Sequence, residues 1–150
     1  MSTAAPDARP RISEAQFERI SRERVPFVHQ LGVIVDELGY GVARLRVPFR
    51  DDFLRPGGTI AGPVMMGLAD LTMFGVVLSM IGPVEMAVTT NLNINFLRRP
   101  APGDVLAHGR IIKLGKRLAV GEVLMYRDGE VEPVAHVTST YSIPPDRSGA

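Results

Sequence analysis

The most apolar stretch of this chain lies near its middle, at residues 57–80. It begins as a glycine-rich turn, and Pro63 then stands where a proline suits the first turn of a helix. The following residues are almost wholly apolar, with Asp70 as their one ionisable residue, and they end at a Gly-Pro stop signal. The pattern predicts a helix over about 63–81. Because it is apolar on all sides, we expect this helix to be buried at the centre of the fold.

Alternating apolar and polar positions predict strands before and after this helix. A short amphipathic helix at 12–25, capped by Ser13 and Gln16, comes first and is disturbed at Pro26. In the longest strand, apolar residues occupy one face and three asparagines the other, which is the period-two pattern of a half-buried strand. The predicted strands are 33–38, 42–49, 86–97, 105–114, 119–126 and 134–143.

The order of these elements predicts the fold class. One short helix and two strands precede the long buried helix, and four antiparallel strands follow it. A run of strands around a single apolar helix is typical of an α+β domain in which a curved antiparallel sheet wraps around that helix. We therefore predict one domain over 12–143, with a disordered N-terminal tail at 1–11 and a flexible C-terminal tail at 144–150.

Composition narrows the classes of function. The 150 residues carry a net charge of +1, which gives no reason to expect binding to nucleic acid or to a membrane surface. Cysteine is absent, the three histidines are isolated, and no phosphate-binding glycine motif is present, so neither a metal site nor a cofactor is predicted. No signal-peptide pattern opens the chain, and an acid at the centre of the apolar stretch argues against a membrane span. A cytoplasmic protein is expected.

Asp70 is the first candidate for chemistry. A carboxylate in apolar surroundings must be paired or must act in a reaction, because burying an isolated charge is costly. Two interpretations stay open from the residues alone: Asp70 is a general base or nucleophile, or it is a structural partner of an arginine such as Arg55 or Arg98. Gly62 also has two interpretations, since it can offer its amide to an anion or serve only a tight turn.

Four motifs, in one order and spacing, resemble a known family. Gly62 and a Leu-Ala-Asp sequence ending at Asp70 lie on the central helix; residues 88–100 read Val-Thr-Thr-Asn-Leu-Asn-Ile-Asn-Phe-Leu-Arg-Arg-Pro; Gly-Asp follows at 103–104 and Leu-Gly-Lys-Arg-Leu-Ala at 114–119. Over about 31–143, the chain resembles the PaaI-like acyl-CoA thioesterases of phenylacetate degradation, which have the hot-dog fold. The resemblance implies a hot-dog domain that hydrolyses an acyl-CoA thioester to a free acid and CoA.

The resemblance also implies roles for individual residues. In that family an acid on the central helix, here Asp70, activates water or attacks the thioester carbonyl. A backbone amide at the start of the helix, here that of Gly62, polarises the carbonyl, and a Ser or Thr early in the long strand, here Thr89, places the water or the carboxylate. The family's active sites lie at a dimer interface and dimers often pair, so a homodimer and a homotetramer are expected. Coenzyme A is then part of the substrate, and no further cofactor is implied.

Substrate-binding residues are predicted around these three. The family's His-Gly-Gly reads Ala61-Gly62-Pro63 here, and Arg55 stands where relatives carry Asn or Gln. Asn91 is predicted to share a strand face with Thr89. Basic residues at strand ends are predicted to form a rim that holds the CoA phosphates through charge-assisted hydrogen bonds. They are Arg98, Arg99, Lys116 and Arg117.

Two alternative functions stay open. The altered positions before the helix also fit a non-catalytic acyl-CoA-binding or regulatory protein that has the same pocket. A hydratase or dehydratase on the same fold would need a histidine paired with the carboxylate, and none lies in the loops that flank the helix.

Overall fold

A six-stranded antiparallel sheet packs around one long helix in the computed structural model, which describes residues 8–145. The helices are α1 (Glu14–Arg24), α2 (Pro26–His29) and α3 (Gly62–Ile81). The strands are β1 (Ile34–Gly39), β2 (Val42–Val47), β3 (Leu54–Arg55), β4 (Thr59–Ile60), β5 (Val88–Phe96), β6 (Val105–Leu114), β7 (Leu118–Arg127) and β8 (Ala135–Ser142). The order in the sheet is β1-β2-β6-β7-β8-β5, and β3 and β4 form a separate hairpin.

The observed elements confirm the predicted α+β hot-dog architecture. The capping box between Ser13 and Gln16 is present, and α3 and β6 occupy the predicted segments within one residue. The β3–β4 hairpin and the 3-10 turn at Asp51–Phe53 before it were not predicted, because strands of two residues carry no alternating pattern. Together they form the entry to α3.

The predicted tails fall largely outside the described residues. Residues 1–7 and 146–150 are not among them, so the structure does not test those parts of the prediction. In the part that is described, the Arg11 amide donates a hydrogen bond of 2.7 Å to the Ser79 carbonyl, and Ile12 is buried. The chain just before α1 is therefore attached to α3.

Helix α3 is buried along all but one stripe at its N-terminal half. Fifteen of its twenty residues are buried. By length and composition it could cross a membrane, but most of it lies inside this fold. The exposed or half-buried remainder includes Pro63, Met66, Gly67 and Asp70. Their spacing of three and four residues puts them on one side of the helix, and we call this set the α3 stripe.

Glycines on two central strands allow the sheet to approach α3 closely. A Cβ on Gly109 of β6 would lie 2.7 Å from the Cγ2 atom of Thr72. A Cβ on Gly121 of β7 would lie 2.6 Å from the Cε atom of Met73 and 2.8 Å from the Arg110 carbonyl oxygen. At these two positions the absence of a side chain sets the distance between helix and sheet.

Gly121→Ala should therefore destabilise the fold. The new methyl group overlaps a backbone oxygen that cannot rotate away, and overpacking of this kind costs about 1–3 kcal/mol. We expect the free energy of unfolding from urea titration to fall by that amount. Thr138→Ala, on the outer face of the neighbouring strand, is the control and should change it by less than about 0.5 kcal/mol. Equal losses in the two variants would contradict the close-packing argument.

Candidate active site

The carboxylate of Asp70 is held by two hydroxyl groups from the sheet. Asp70 lies two turns into α3 and is half-buried. Its Oδ1 atom accepts a hydrogen bond of 2.6 Å from Thr89 Oγ1. The Tyr141 hydroxyl lies 2.9 Å from the same Oδ1 atom and 3.0 Å from the Asp70 carbonyl oxygen. The three residues form one cluster between helix and sheet.

A β-bulge aims Thr89 at this carboxylate. In the antiparallel pair of β5 and β8, Thr89 lies opposite Tyr141, but Thr140 lies opposite Asn91, so Thr90 is the extra residue. A bulge of this kind shifts the alternation of faces by one residue. Thr89 and Tyr141 thus share the inner face, while Asn91 lies on the outer face. The prediction that Thr89 and Asn91 share a face is wrong, because strict alternation fails at the bulge.

Tyr141 was missed by the sequence analysis. Its side chain is 3% exposed and its ring stacks on Phe74, with 6.2 Å between centroids. Burial, and secondarily the nearby charge of Asp70, raises the pKa of the Tyr141 hydroxyl well above its usual value. The signal available in the sequence was a tyrosine at an inward position of β8, because the hydroxyl of a buried tyrosine usually finds a hydrogen-bond partner.

The other interpretation of Asp70, a structural ion pair with Arg55 or Arg98, does not hold within one chain. Among residues 8–145, Asp70 takes part in no ion pair, and Arg98 instead pairs with Glu132 at 2.8 Å. The partners of the carboxylate are neutral hydroxyl groups. Among the described residues of one chain, no cation pairs with this carboxylate.

Two grooves open beside Asp70, and both include Asp70 and Thr89 in their walls. The first groove has a volume of about 170 Å³ and is otherwise lined by Val25, Val28, Leu71, Phe74, Glu85, Ala87, Val88 and Tyr141. The second groove has a volume of about 470 Å³ and is otherwise lined by Phe27, Pro63, Met66, Gly67 and Leu92. Both walls are mainly apolar. Asp70 is the charged residue that the two grooves share, and the other acid, Glu85 of the first groove, pairs with Arg24 at 3.2 Å.

The amide of Gly62 is available at the start of α3. Ala61 precedes the helix without a side-chain cap, and its own amide donates to the Phe53 carbonyl at 2.8 Å. Within the described residues, the Gly62 amide has no acceptor. Gly62 lines a third groove of about 310 Å³ together with Arg55, Arg98, Arg99 and other residues, which we call the arginine groove. The first-turn amides of a helix favour anions.

The basic residues do not form a single rim within one chain. Arg55, Arg98 and Arg99 meet in the arginine groove. Lys116 and Arg117 lie in the β6–β7 turn, at the end of the sheet where β5 begins, and Arg117 Nε donates to the Ile143 carbonyl at 3.0 Å. The predicted grouping is wrong within the chain, because the antiparallel order places this turn a full strand length away from Arg98.

Gly62 and Asp70 are too far apart in one chain to act on the same carbonyl group. They lie on the same helix, eight residues apart, and a rise of 1.5 Å per residue separates them by about 12 Å along the axis. To act on one carbonyl group, a hydrogen-bond donor must lie within about 3 Å of the carbonyl oxygen. The base must lie within about 3 Å of the water that attacks the carbonyl carbon. Within one chain, therefore, the Gly62 amide and the Asp70 carboxylate cannot both contact one carbonyl group.

Comparison with known proteins decides the family. A family model described as the thioesterase superfamily matches residues 57–134, just over half of the chain. The chain belongs to the thioesterase superfamily. This confirms the resemblance drawn from the motifs, and the superfamily supports thioester hydrolysis as the general class of activity.

Relatives of this thioesterase-superfamily chain carry consistent names. A crystal structure of a candidate thioesterase from Silicibacter sp. TM1040 is 38% identical, with a TM-score of 0.82 over 91% of this chain and 94% of that one. A mutant of the phenylacetic acid degradation protein PaaI from Thermus thermophilus is 28% identical, with a TM-score of 0.71 over 79% of this chain and 99% of that one. A candidate esterase from Saccharolobus solfataricus is 28% identical over 89% of this chain and 87% of its own length.

Proposed function

We propose that this chain hydrolyses an acyl-CoA thioester to a free acid and CoA. The observation that carries the proposal is the half-buried Asp70 carboxylate, which is held by two hydroxyls between two apolar grooves. Thioester hydrolysis needs a base or nucleophile beside a space for an acyl chain. Coenzyme A enters as part of the substrate, and the proposal needs no metal or other cofactor.

The reaction follows from the chemistry of these groups. Asp70 takes a proton from water as the water oxygen bonds to the thioester carbon, and the carbonyl oxygen gains the negative charge, which the Gly62 amide stabilises. When the tetrahedral intermediate collapses, the C–S bond breaks and the CoA sulfur leaves with the proton that Asp70 held. In the alternative course, Asp70 attacks the carbon directly, CoA leaves, and water hydrolyses the resulting anhydride. Thr89 orients the carboxylate in both.

The proposed enzyme is a homodimer whose sites combine Asp70 of one copy with Gly62 of the other. The separation of the two groups along α3 supports this. The surface beside them also supports it. β5 is an edge strand with exposed apolar side chains, Val88 at 58% and Phe96 at 52%, and Leu97, which follows the strand, is 53% exposed. An unpaired apolar edge next to the α3 stripe is a surface that a second copy would cover. Further pairing into tetramers is proposed from the family resemblance.

A dimer of this kind would also bring the basic residues together. If two copies paired antiparallel through β5, the β6–β7 turn of each, with Lys116 and Arg117, would lie at the end of the sheet that carries the other's arginine groove. We propose that the CoA phosphates bind there, with Arg55 and Arg98 on one side. Ala61 and Pro63 flank the Gly62 amide in this arrangement, and Asn91 is left on the outer face of the sheet.

A second candidate function is binding of acyl-CoA without hydrolysis. The observation that favours it is the entry to α3, where Ala61 supplies no imidazole and its amide is already bonded to Phe53. Such a protein would bind CoA in the same grooves and act as a carrier or regulator.

Release of CoA separates the two functions. The purified protein is incubated with about a dozen acyl-CoAs that differ in chain length and aromatic content, and free CoA is measured with a thiol reagent. The protein itself does not react with the thiol reagent, because the chain has no cysteine. We expect catalytic release with at least one acyl group. Calorimetric binding of an acyl-CoA without any release would favour the carrier and contradict the enzyme.

A further inference from the structure

The two oxygen atoms of the Asp70 carboxylate have different surroundings. Both hydroxyl contacts to the side chain are made to Oδ1. Among the described residues, Oδ2 has no hydrogen-bond partner, and the one buried side-chain polar atom without a partner is Arg127 Nε. Oδ2 is therefore not a buried atom, and it is the part of the carboxylate that solvent or a ligand can reach.

The Tyr141 hydroxyl lies within hydrogen-bond distance of two oxygen atoms of Asp70. They are Asp70 Oδ1 at 2.9 Å and the Asp70 carbonyl oxygen at 3.0 Å. The carbonyl lies inside α3, where it already accepts from the amide four residues later. The carboxylate is charged, and hydrogen bonds to charged acceptors are the stronger ones. The Tyr141 hydroxyl therefore donates its hydrogen bond to Asp70 Oδ1.

We infer that Tyr141 is a positioning residue that, together with Thr89, occupies Oδ1 and leaves Oδ2 as the oxygen that reacts. This inference rests on the proposed thioester hydrolysis, and it adds which oxygen of Asp70 takes the proton from water or attacks the carbonyl carbon. Two donors on one oxygen stop the carboxylate from rotating. The lone pairs of Oδ2 then point in a fixed direction.

The packing around Tyr141 suits this role. Its ring stacks on Phe74, which in turn meets Phe17 of α1 edge-on at 6.1 Å between centroids. Phe17 is fully buried, so a row of three aromatic rings fixes the hydroxyl from behind. The register of β5 and β8 fixes it from the side, since Tyr141 lies directly opposite Thr89. Burial also keeps the hydroxyl protonated at any working pH, so it remains a donor.

Tyr141→Phe removes this donor and leaves the ring in place. We expect kcat to fall about 10- to 50-fold while KM changes less than about twofold, because the change removes only the hydroxyl that points at Asp70 and leaves the ring in the wall of the first groove. We also expect the acid limb of the pH profile of kcat/KM to move to higher pH, since a carboxylate with fewer donors protonates more readily. Tyr126→Phe, which removes a hydroxyl on the outer face beside His108, is the matched control and should change neither quantity.

A second measurement does not depend on turnover. The titration of the Asp70 carboxyl carbon is followed by carbon-13 NMR in the unaltered chain, in Tyr141→Phe and in Tyr126→Phe. We expect its midpoint to rise in Tyr141→Phe alone. If the unaltered chain released no CoA, the proposed function would fail, but the titration would still decide whether Tyr141 holds the carboxylate.

Other outcomes would overturn the inference. A kcat within twofold of the unaltered chain, or an unchanged titration midpoint, would show that Tyr141 only fills space. Thr89→Val removes the other donor from the same oxygen, so it should shift the midpoint in the same direction, and the two effects should be non-additive in the double variant. If Tyr141→Phe did not fold, an unshifted midpoint in Thr89→Val would by itself exclude the arrangement.

Discussion

Asp70→Asn should hydrolyse acyl-CoA at least about 100-fold more slowly than the unaltered chain while folding equally well. The amide oxygen can still accept hydrogen bonds from Thr89 and Tyr141, so the cluster stays satisfied. A neutral amide can neither take a proton from water nor attack a carbonyl carbon, and loss of a general base typically costs about 10²–10⁴-fold. Both kcat and the urea midpoint of unfolding are measured.

The control for this change is Asp36→Asn. Asp36 lines neither groove. It forms a surface ion pair with Arg46, 2.9 Å long, and such pairs contribute little to stability. Its kcat should equal that of the unaltered chain. If Asp70→Asn kept more than a tenth of the activity, Asp70 would not be the base or nucleophile. The position of its carboxylate between the two grooves would then no longer support the proposed function.

Two inactive variants should restore activity when they share one dimer. Gly62→Pro removes the amide proton itself, and a proline is well accommodated at the first position of a helix. Loss of an oxyanion donor costs about 10²–10³-fold in kcat. In a heterodimer of Asp70→Asn with Gly62→Pro, one site carries both changes and the other carries neither. Such heterodimers should recover about half the activity of the unaltered dimer.

The experiment uses two affinity tags and co-expression, so that only heterodimers are purified and assayed for CoA release. Gly62→Ala is the matched control: it adds the same Cβ, which lies 3.2 Å from the Phe96 ring, but it keeps the amide proton. A dimer that combined Asp70→Asn with Gly62→Pro and stayed as slow as either parent would mean that both groups act within one chain. That result would contradict the shared site.

Much of this fold could be predicted because α3 is so distinctive. A long apolar run with one acid, opened by proline and ended by glycine, fixes the helix, and period-two patterns locate the long strands around it. The β3–β4 hairpin could not be found, since two residues do not define a period. Because this hairpin was not predicted, the hydrogen bond from the Ala61 amide to the Phe53 carbonyl could not be predicted either.

The candidate site was predictable in part. Asp70 stood out by charge and Gly62 by its place at the predicted helix start, and Thr89 came from the family resemblance. The structure brings Thr89 to Asp70 and keeps Gly62 apart from it. The bulge at Thr90 gave no sign in the sequence, because one extra residue among Val-Thr-Thr-Asn leaves the composition unchanged. Tyr141 lies 71 residues from Asp70, and only the strand register brings such distant positions together.

The separation of Gly62 and Asp70 along α3 also bears on how such a protein can evolve. Each chain would contribute Asp70 to one active site and the Gly62 amide to the other, so no chain would contain a complete site. After a gene duplication, one copy could lose Asp70 and the other Gly62, and a pair of the two would still keep one working centre. Each copy alone would then fold but be inactive, and natural selection would retain both genes because only the heterodimer is active.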